Sequence, residues 1–116
     1  FEYCTSLTTA PELPATTLAP YCYQNMFEDC SSLTTAPELP ATTLDTYCYQ
    51  SMFYGCSSLT YVKHHVTSWN TDKAYYWLYN VAATGIVECP TASTIPSNDV
   101  SGIPTGWTRQ NFNINN

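Results

Sequence analysis

Apolar residues in this chain recur at intervals of 26, not at the short periods of a single helix or strand. Leu7, Leu33 and Leu59 fall in one column, Leu13 and Leu39 in a second, and Leu18 and Leu44 in a third. Met26/Met52/Leu78, Tyr23/Tyr49/Tyr75 and Phe1/Phe27/Phe53/Tyr79 continue the pattern. The polar positions repeat as faithfully: SLTTAPELPATTL at 6–18 returns unchanged at 32–44. Units 4–29 and 30–55 differ only at Thr5/Ser31, Ala19/Asp45, Pro20/Thr46, Asn25/Ser51, Glu28/Tyr54 and Asp29/Gly55. A third unit, 56–81, opens as Cys-Ser-Ser-Leu-Thr and then keeps character more than identity. One such unit is too short to enclose a core, so each apolar position must be buried by its counterpart in the next. Residues 1–3 are in register with the end of a unit, which predicts the C-terminal part of a longer repeat protein.

Within a unit, Leu-Thr-Thr-Ala (7–10, 33–36) is β-branched and closed by Pro11 or Pro37, which suits a short strand. Pro14 and Pro40 carry the chain through a turn. The stretch 19–29 then predicts a short helix. Pro20 suits a first helical position, and its neighbour Ala19 is replaced by the N-capping residues Asp45 and Thr71 in later units. Gly55 suits the C-terminal end of the second helix, and Ala74–Tyr79 forms the third. A period of 26 lies in the range of leucine-rich repeats. The expectation is therefore an α/β leucine-rich-repeat solenoid of about three strand–turn–helix coils over 1–81, with an irregular C-terminal cap over 82–116. Within that cap, Gly85–Pro90 predicts a final strand, Trp107 a plug over the last coil, and the closing Asn-rich residues a frayed tail.

The segments Met-Phe-x-x-Cys-Ser-Ser-Leu-Thr at 26–34 and 52–60 resemble the Phe-x-x-Cys-x-x-Leu signature of the BspA-like leucine-rich repeats, bacterial surface proteins of Bacteroides-type anaerobes. Thr-Ala-Pro-Glu-Leu-Pro-Ala-Thr-Thr-Leu is similar to the Bacteroides branch, and IPTGWT at 103–108 to the usual close of such chains. The resemblance covers 1–60 well and 61–81 loosely. It implies a secreted or cell-surface protein engaged in adhesion or host contact, with a protein or glycan on a host or neighbouring cell as partner. It supplies no catalytic residues.

Composition narrows the classes further. A net charge of −6, with Lys63, Lys73 and Arg109 the only Lys or Arg residues, argues against nucleic acid or an anionic membrane as partner. No apolar run approaches the roughly 20 residues of a membrane helix. Aromatic residues at 15% and charged residues at 10% argue against a disordered chain.

Six cysteines raise the question of disulfides. Cys4/Cys30/Cys56 and Cys22/Cys48 are columns, and the predicted helix would hold Cys22 and Cys30 about 12 Å apart, beyond the roughly 7 Å a bridge allows. Free thiols acting as small apolar core residues are expected. No Cys-x-x-Cys pair or finger-like Cys/His spacing points to zinc, and His64-His65 is a polar departure from the repeat. No cofactor is implied. Nucleophilic catalysis is not expected of cysteines that recur by register, and no acid/base constellation appears.

The strand face is the usual binding surface of stacked repeats. Thr8, Thr9, Thr34, Thr35 and Tyr61 are its candidates, with Glu12 and Glu38 near its edge. Two carboxylates fall short of a calcium shell. Exposed Tyr21 or Tyr47 would suit sugar stacking. The sequence thus supports a non-enzymatic interaction module. A spacer projecting another domain, or a receptor-binding part of a gut phage, is the alternative.

Overall fold

The structure, a computed structural model, describes residues 1–113. Its organising element is neither helix nor strand. In the stretch 19–30, even-numbered N–H groups bond back three residues, from Cys22 to Ala19, Gln24 to Tyr21, Met26 to Tyr23, Glu28 to Asn25 and Cys30 to Phe27. Odd-numbered N–H groups instead reach the next copy: Tyr21 to Thr46, Tyr23 to Cys48, Asn25 to Gln50, Phe27 to Met52 and Asp29 to Tyr54. The second copy repeats both sets. Tyr49, Ser51, Phe53 and Gly55 donate to Lys73, Tyr75, Trp77 and Tyr79. The result is a ribbon of successive turns, bonded sideways to its neighbour.

This ribbon overturns the solenoid of strand–turn–helix coils. Every fourth residue of it has positive φ: Tyr21, Asn25 and Asp29, then Tyr47, Ser51 and Gly55, with Tyr76 and Asn80 in the third unit. A right-handed helix cannot contain them, since each left-handed L-residue costs about 1–2 kcal/mol. Each lies third in a four-residue turn, the place where a type II turn requires positive φ, and Pro20 occupies the second place that such turns favour. Proline there marks a turn, not a helix start. Among the described residues, helix is confined to a 3-10 turn at Thr71–Lys73, in which the N–H of Asp72 donates to the Asn70 side chain. An α-helix would satisfy its N–H groups internally; here half of them find carbonyls on a neighbouring copy.

The opposite side of each unit carries a parallel ladder. Thr9 bridges Thr35, and Thr35 bridges Tyr61. The expected strands at 7–10 and 33–36 are thus single bridges. The ladder becomes continuous only with β1 (Tyr61–Lys63), β2 (Gly85–Pro90) and β3 (Trp107–Phe112), all parallel and in that order. β2 occupies the stretch where the sequence predicts a final strand. β3 corrects the irregular cap, because Trp107 opens a strand that pairs Gly85–Pro90 residue for residue. The fraying expected of the last residues concerns 114–116, outside the described residues.

Column assignments also change after Val62. Thr35 pairs Tyr61, but Leu39 pairs His64, so the third unit is one residue shorter across Pro37–Glu38. Everything beyond shifts by one. His64 therefore enters the Leu13/Leu39 column and is fully buried. Trp69 follows Leu18 and Leu44, and Trp77 follows Met26 and Met52. Phe1, Phe27 and Phe53 stack with centroids 5.6 and 5.5 Å apart and rings nearly parallel. The next residue under Phe53 is Leu78, while Tyr79 stacks on Tyr54 at 5.6 Å. Tyr75, expected beneath Tyr49, is exposed; Trp77 stacks there instead, at 6.2 Å.

The core ends in an aromatic box of Tyr49, His64, Trp69 and Trp77, with His64 and Trp77 respectively 4.8 and 4.7 Å from the Trp69 ring. Each tryptophan donates its indole N–H to a backbone carbonyl of the C-terminal part or its seat: Trp69 to Ser101 at 2.7 Å, Trp77 to Gly102 at 2.9 Å, and Trp107 to Ala82 at 2.7 Å. Buried carbonyls of an irregular segment need such donors, and these three bonds hold 97–106 over the box.

Candidate functional site: the ladder face and its acidic groove

The ladder sets the geometry of the outer face. Side chains alternate across a strand, so Ala36, Val62 and Val87 point into the core and are buried, while Thr35, Tyr61 and Ile86 point out. Thr8, Thr9, Thr34 and Thr35 are exposed, and Thr9, Thr35 and Tyr61 stand in one bridged row. Tyr61 is half-buried. Its hydroxyl donates to Glu88, and burial, then that bond, then the charges of Glu88 and Glu38 push its pKa up to about 12.

Glu12 and Glu38 lie on either side of a groove of about 320 Å³ between the first two units, lined also by Ala10, Leu13, Pro14, Pro37 and Pro40. The sequence marks both carboxylates but not these walls, although the repeated Pro-Glu-Leu-Pro contains them. Proline supplies a rigid apolar wall without a backbone donor, and Glu12 and Glu38 are the charged side chains of this lining. Further along the face, charges are mutually engaged. His65 Nε2 sits 2.7 Å from Glu38 Oε2, and Lys63 Nζ lies 3.9 Å from Glu88 and 4.9 Å above the Phe112 ring. Glu12 has no side-chain hydrogen bond or ion pair among the described residues.

The remaining cations are committed elsewhere. Lys73 donates to the Leu44 carbonyl, and Arg109 gathers the carbonyls of Pro90, Thr91 and Ser93. Of the groove's two carboxylates, Glu38 is shared with His65, and none of the three Lys and Arg side chains pairs with either among the described residues.

No three His, Cys, Asp or Glu side chains among the described residues are grouped to hold a metal ion, and no helix among them is long and apolar enough to cross a membrane. All six cysteines are free thiols, four of them buried. The helix that would separate Cys22 from Cys30 is absent, so their separation comes from the turn ribbon. His64, read from the sequence as a polar departure from the repeat, is instead fully buried, and burial, with smaller contributions from His65 and Arg109, lowers its pKa to about 3. The length of the third unit was the signal for it, hidden until the register was known.

No family model, curated protein or solved structure matches the chain. The likeness to BspA-like repeats therefore rests on its motif residues alone.

Proposed function

We propose that this chain is a non-enzymatic interaction module that binds a basic segment of a partner protein on its ladder face, with a Lys or Arg side chain in the groove between Glu12 and Glu38. The observation that carries this reading is the pairing of two carboxylates with proline walls in one groove, Glu12 having no side-chain partner among the described residues. A cation entering there meets two opposite charges, whose oxygens Pro14, Pro37 and Pro40 cannot occupy because they have no backbone N–H to donate. The adjoining threonines, Thr8, Thr9, Thr34 and Thr35, supply hydroxyls for the partner's backbone. A secreted or cell-surface setting, which the motif resemblance implies, belongs to the same proposal.

The test compares binding of Lys/Arg-rich, neutral and acidic peptides, alongside a glycan array, to the full chain and to a Glu12→Gln/Glu38→Gln variant. The reading expects selective binding of basic peptides that weakens with salt and falls at least tenfold in the variant. Basic-peptide binding that survives both substitutions, or glycan binding alone, refutes it. No binding in any arm favours the spacer role.

A further inference from the structure

The ribbon side, away from the ladder face, changes character in the third unit. Three of its outward rows begin polar and end in tyrosine: Gln24, Gln50, Tyr75; Asn25, Ser51, Tyr76; and Glu28, Tyr54, Tyr79. Polar side chains serve these rows well, since Gln24 Nε2 donates to Gln50 Oε1 across the first two units. Burial does not explain the change, because Tyr75 and Tyr76 are each 41% exposed. Nor does the backbone. Tyr76 keeps the left-handed conformation of its row, φ 59° against 58° at Asn25 and 52° at Ser51, which suits Asn better than a bulky side chain.

The rings form one cluster. Tyr54 and Tyr79, both half-buried, stack at 5.6 Å with their planes 20° apart. Tyr76 stands nearly perpendicular to both, 6.1 Å from Tyr54 and 5.2 Å from Tyr79. Tyr75 lies 6.0 Å from Tyr76 with a tilt of 32°. The Tyr76 N–H donates to the Val100 carbonyl at 2.6 Å, which ties this turn to the C-terminal segment. Two exposed rings are thus braced by two half-buried ones. The hydroxyls of Tyr3 and Tyr61 are bonded to carboxylates, whereas those of the four clustered tyrosines have no hydrogen-bond partner among the described residues. Tyr21 and Tyr47, marked for sugar stacking by the sequence, pair with each other at 5.5 Å and lie outside this cluster.

We propose that Tyr75 and Tyr76, braced by Tyr54 and Tyr79, form a binding platform for a neutral carbohydrate. A sugar ring has an apolar C–H face and a rim of hydroxyls. The first matches the electron-rich face of a phenol ring, and the second matches free phenol hydroxyls, which both donate and accept. The cluster contains no Lys, Arg, Asp or Glu, so a charged ligand finds no counter-charge in it. Its size also selects the occupant. At 41% exposure the two open rings present on the order of 150–200 Å² together. A stable protein interface needs roughly 800 Å² on each side, whereas one or two sugar rings need no more than the platform provides. This site is separate from the groove and does not rest on the groove's ligand.

The experiment titrates the full chain by calorimetry with hexamers of β-1,4-linked glucose, α-1,4-linked glucose, β-1,4-linked N-acetylglucosamine and α-1,6-linked mannose. At least one is expected to bind. Tyr75→Gln/Tyr76→Ser installs the residues of the second unit, so the fold tolerates it, and a urea midpoint confirms that. This variant should bind the same hexamer at least about tenfold more weakly. Tyr75→Phe/Tyr76→Phe keeps the ring faces and should lose less. Failure of all four hexamers to bind, or binding that survives the Gln/Ser substitution, overturns the proposal. A Phe/Phe variant as weak as the Gln/Ser variant overturns stacking as its basis. If no hexamer binds while the Gln/Ser variant weakens binding of a Lys/Arg-rich peptide, a protein covers the platform and the proposal falls.

Discussion

His64 makes a sharp prediction because a polar ring stands in a leucine column. Its Nδ1 accepts the Val66 N–H at 3.1 Å, while Nε2 is buried without a hydrogen-bond partner among the described residues. Protonation would place a charge among Tyr49, Trp69 and Trp77, and the folded pKa is accordingly lowered to about 3. In the unfolded chain the ring titrates near 6.5. Between those values the unfolded state binds the extra proton, so stability is complete above about pH 6.5 and falls as pH drops towards 3. A gap of about 3.5 units at about 1.4 kcal/mol each gives a loss of about 5 kcal/mol, comparable with the whole stability of many small domains. The assay is urea unfolding followed by tryptophan fluorescence from pH 7.5 to 3.5, on the native sequence and on His64→Leu, which restores the residue of the repeat. At neutral pH the substitution should change little, since removing the orphaned Nε2 offsets the lost acceptor for Val66. Below pH 6.5 the native chain should lose about 1.4 kcal/mol per pH unit more than the variant. Parallel pH profiles, or an NMR titration of His64 near 6, would refute the buried-column account.

Trp77→Phe leaves the buried Gly102 carbonyl without its indole donor and shrinks the box, at a cost of about 2–4 kcal/mol by chemical denaturation; a cost below about 0.5 kcal/mol would deny Trp77 its holding role. Gly85→Ala places a Cβ 2.6 Å from the Trp107 ring and 2.7 Å from the Thr60 carbonyl. It should cost about 1–3 kcal/mol, read as a lower urea midpoint, and an unchanged midpoint would contradict the seating of β3. Burial pushes the Cys48 thiol up to about 11 and the Cys56 thiol up to about 12. Both remain protonated in the fold after the unfolded thiols, near 9, have ionised, so stability is complete below about pH 9 and declines above it. Urea midpoints at pH 8 and 10.5 should fall less steeply in Cys48→Ala/Cys56→Ala than in the native chain, and equal slopes would contradict this.

By itself the sequence determined the period and what the period places side by side. Near-identity of the first two units puts Phe27 over Phe53 and Leu33 beside Leu59 whatever the local backbone does, because stacked equivalents share one environment. The apolar run of β2 was legible for a similar reason, being a short buried stretch closed by Pro90. Thr9 and Thr35, like Glu12 and Glu38, are one position of successive units, so the repeat sets them side by side, but it does not show the groove, whose walls come from two units. Three features were decided only in the tertiary structure. Whether 19–29 becomes a helix depends on whether its N–H groups find carbonyls in the next unit, a long-range condition that helix propensity does not contain. The register beyond Val62 depends on a one-residue shortening opposite Pro37–Glu38, which spacing alone places equally well elsewhere. That shift turned His64 inwards, set Trp69 and Trp77 in the aliphatic columns, and so created the box that holds the C-terminal segment. A local pattern can name the residues that must be buried; only the neighbouring backbone decides which of them meet.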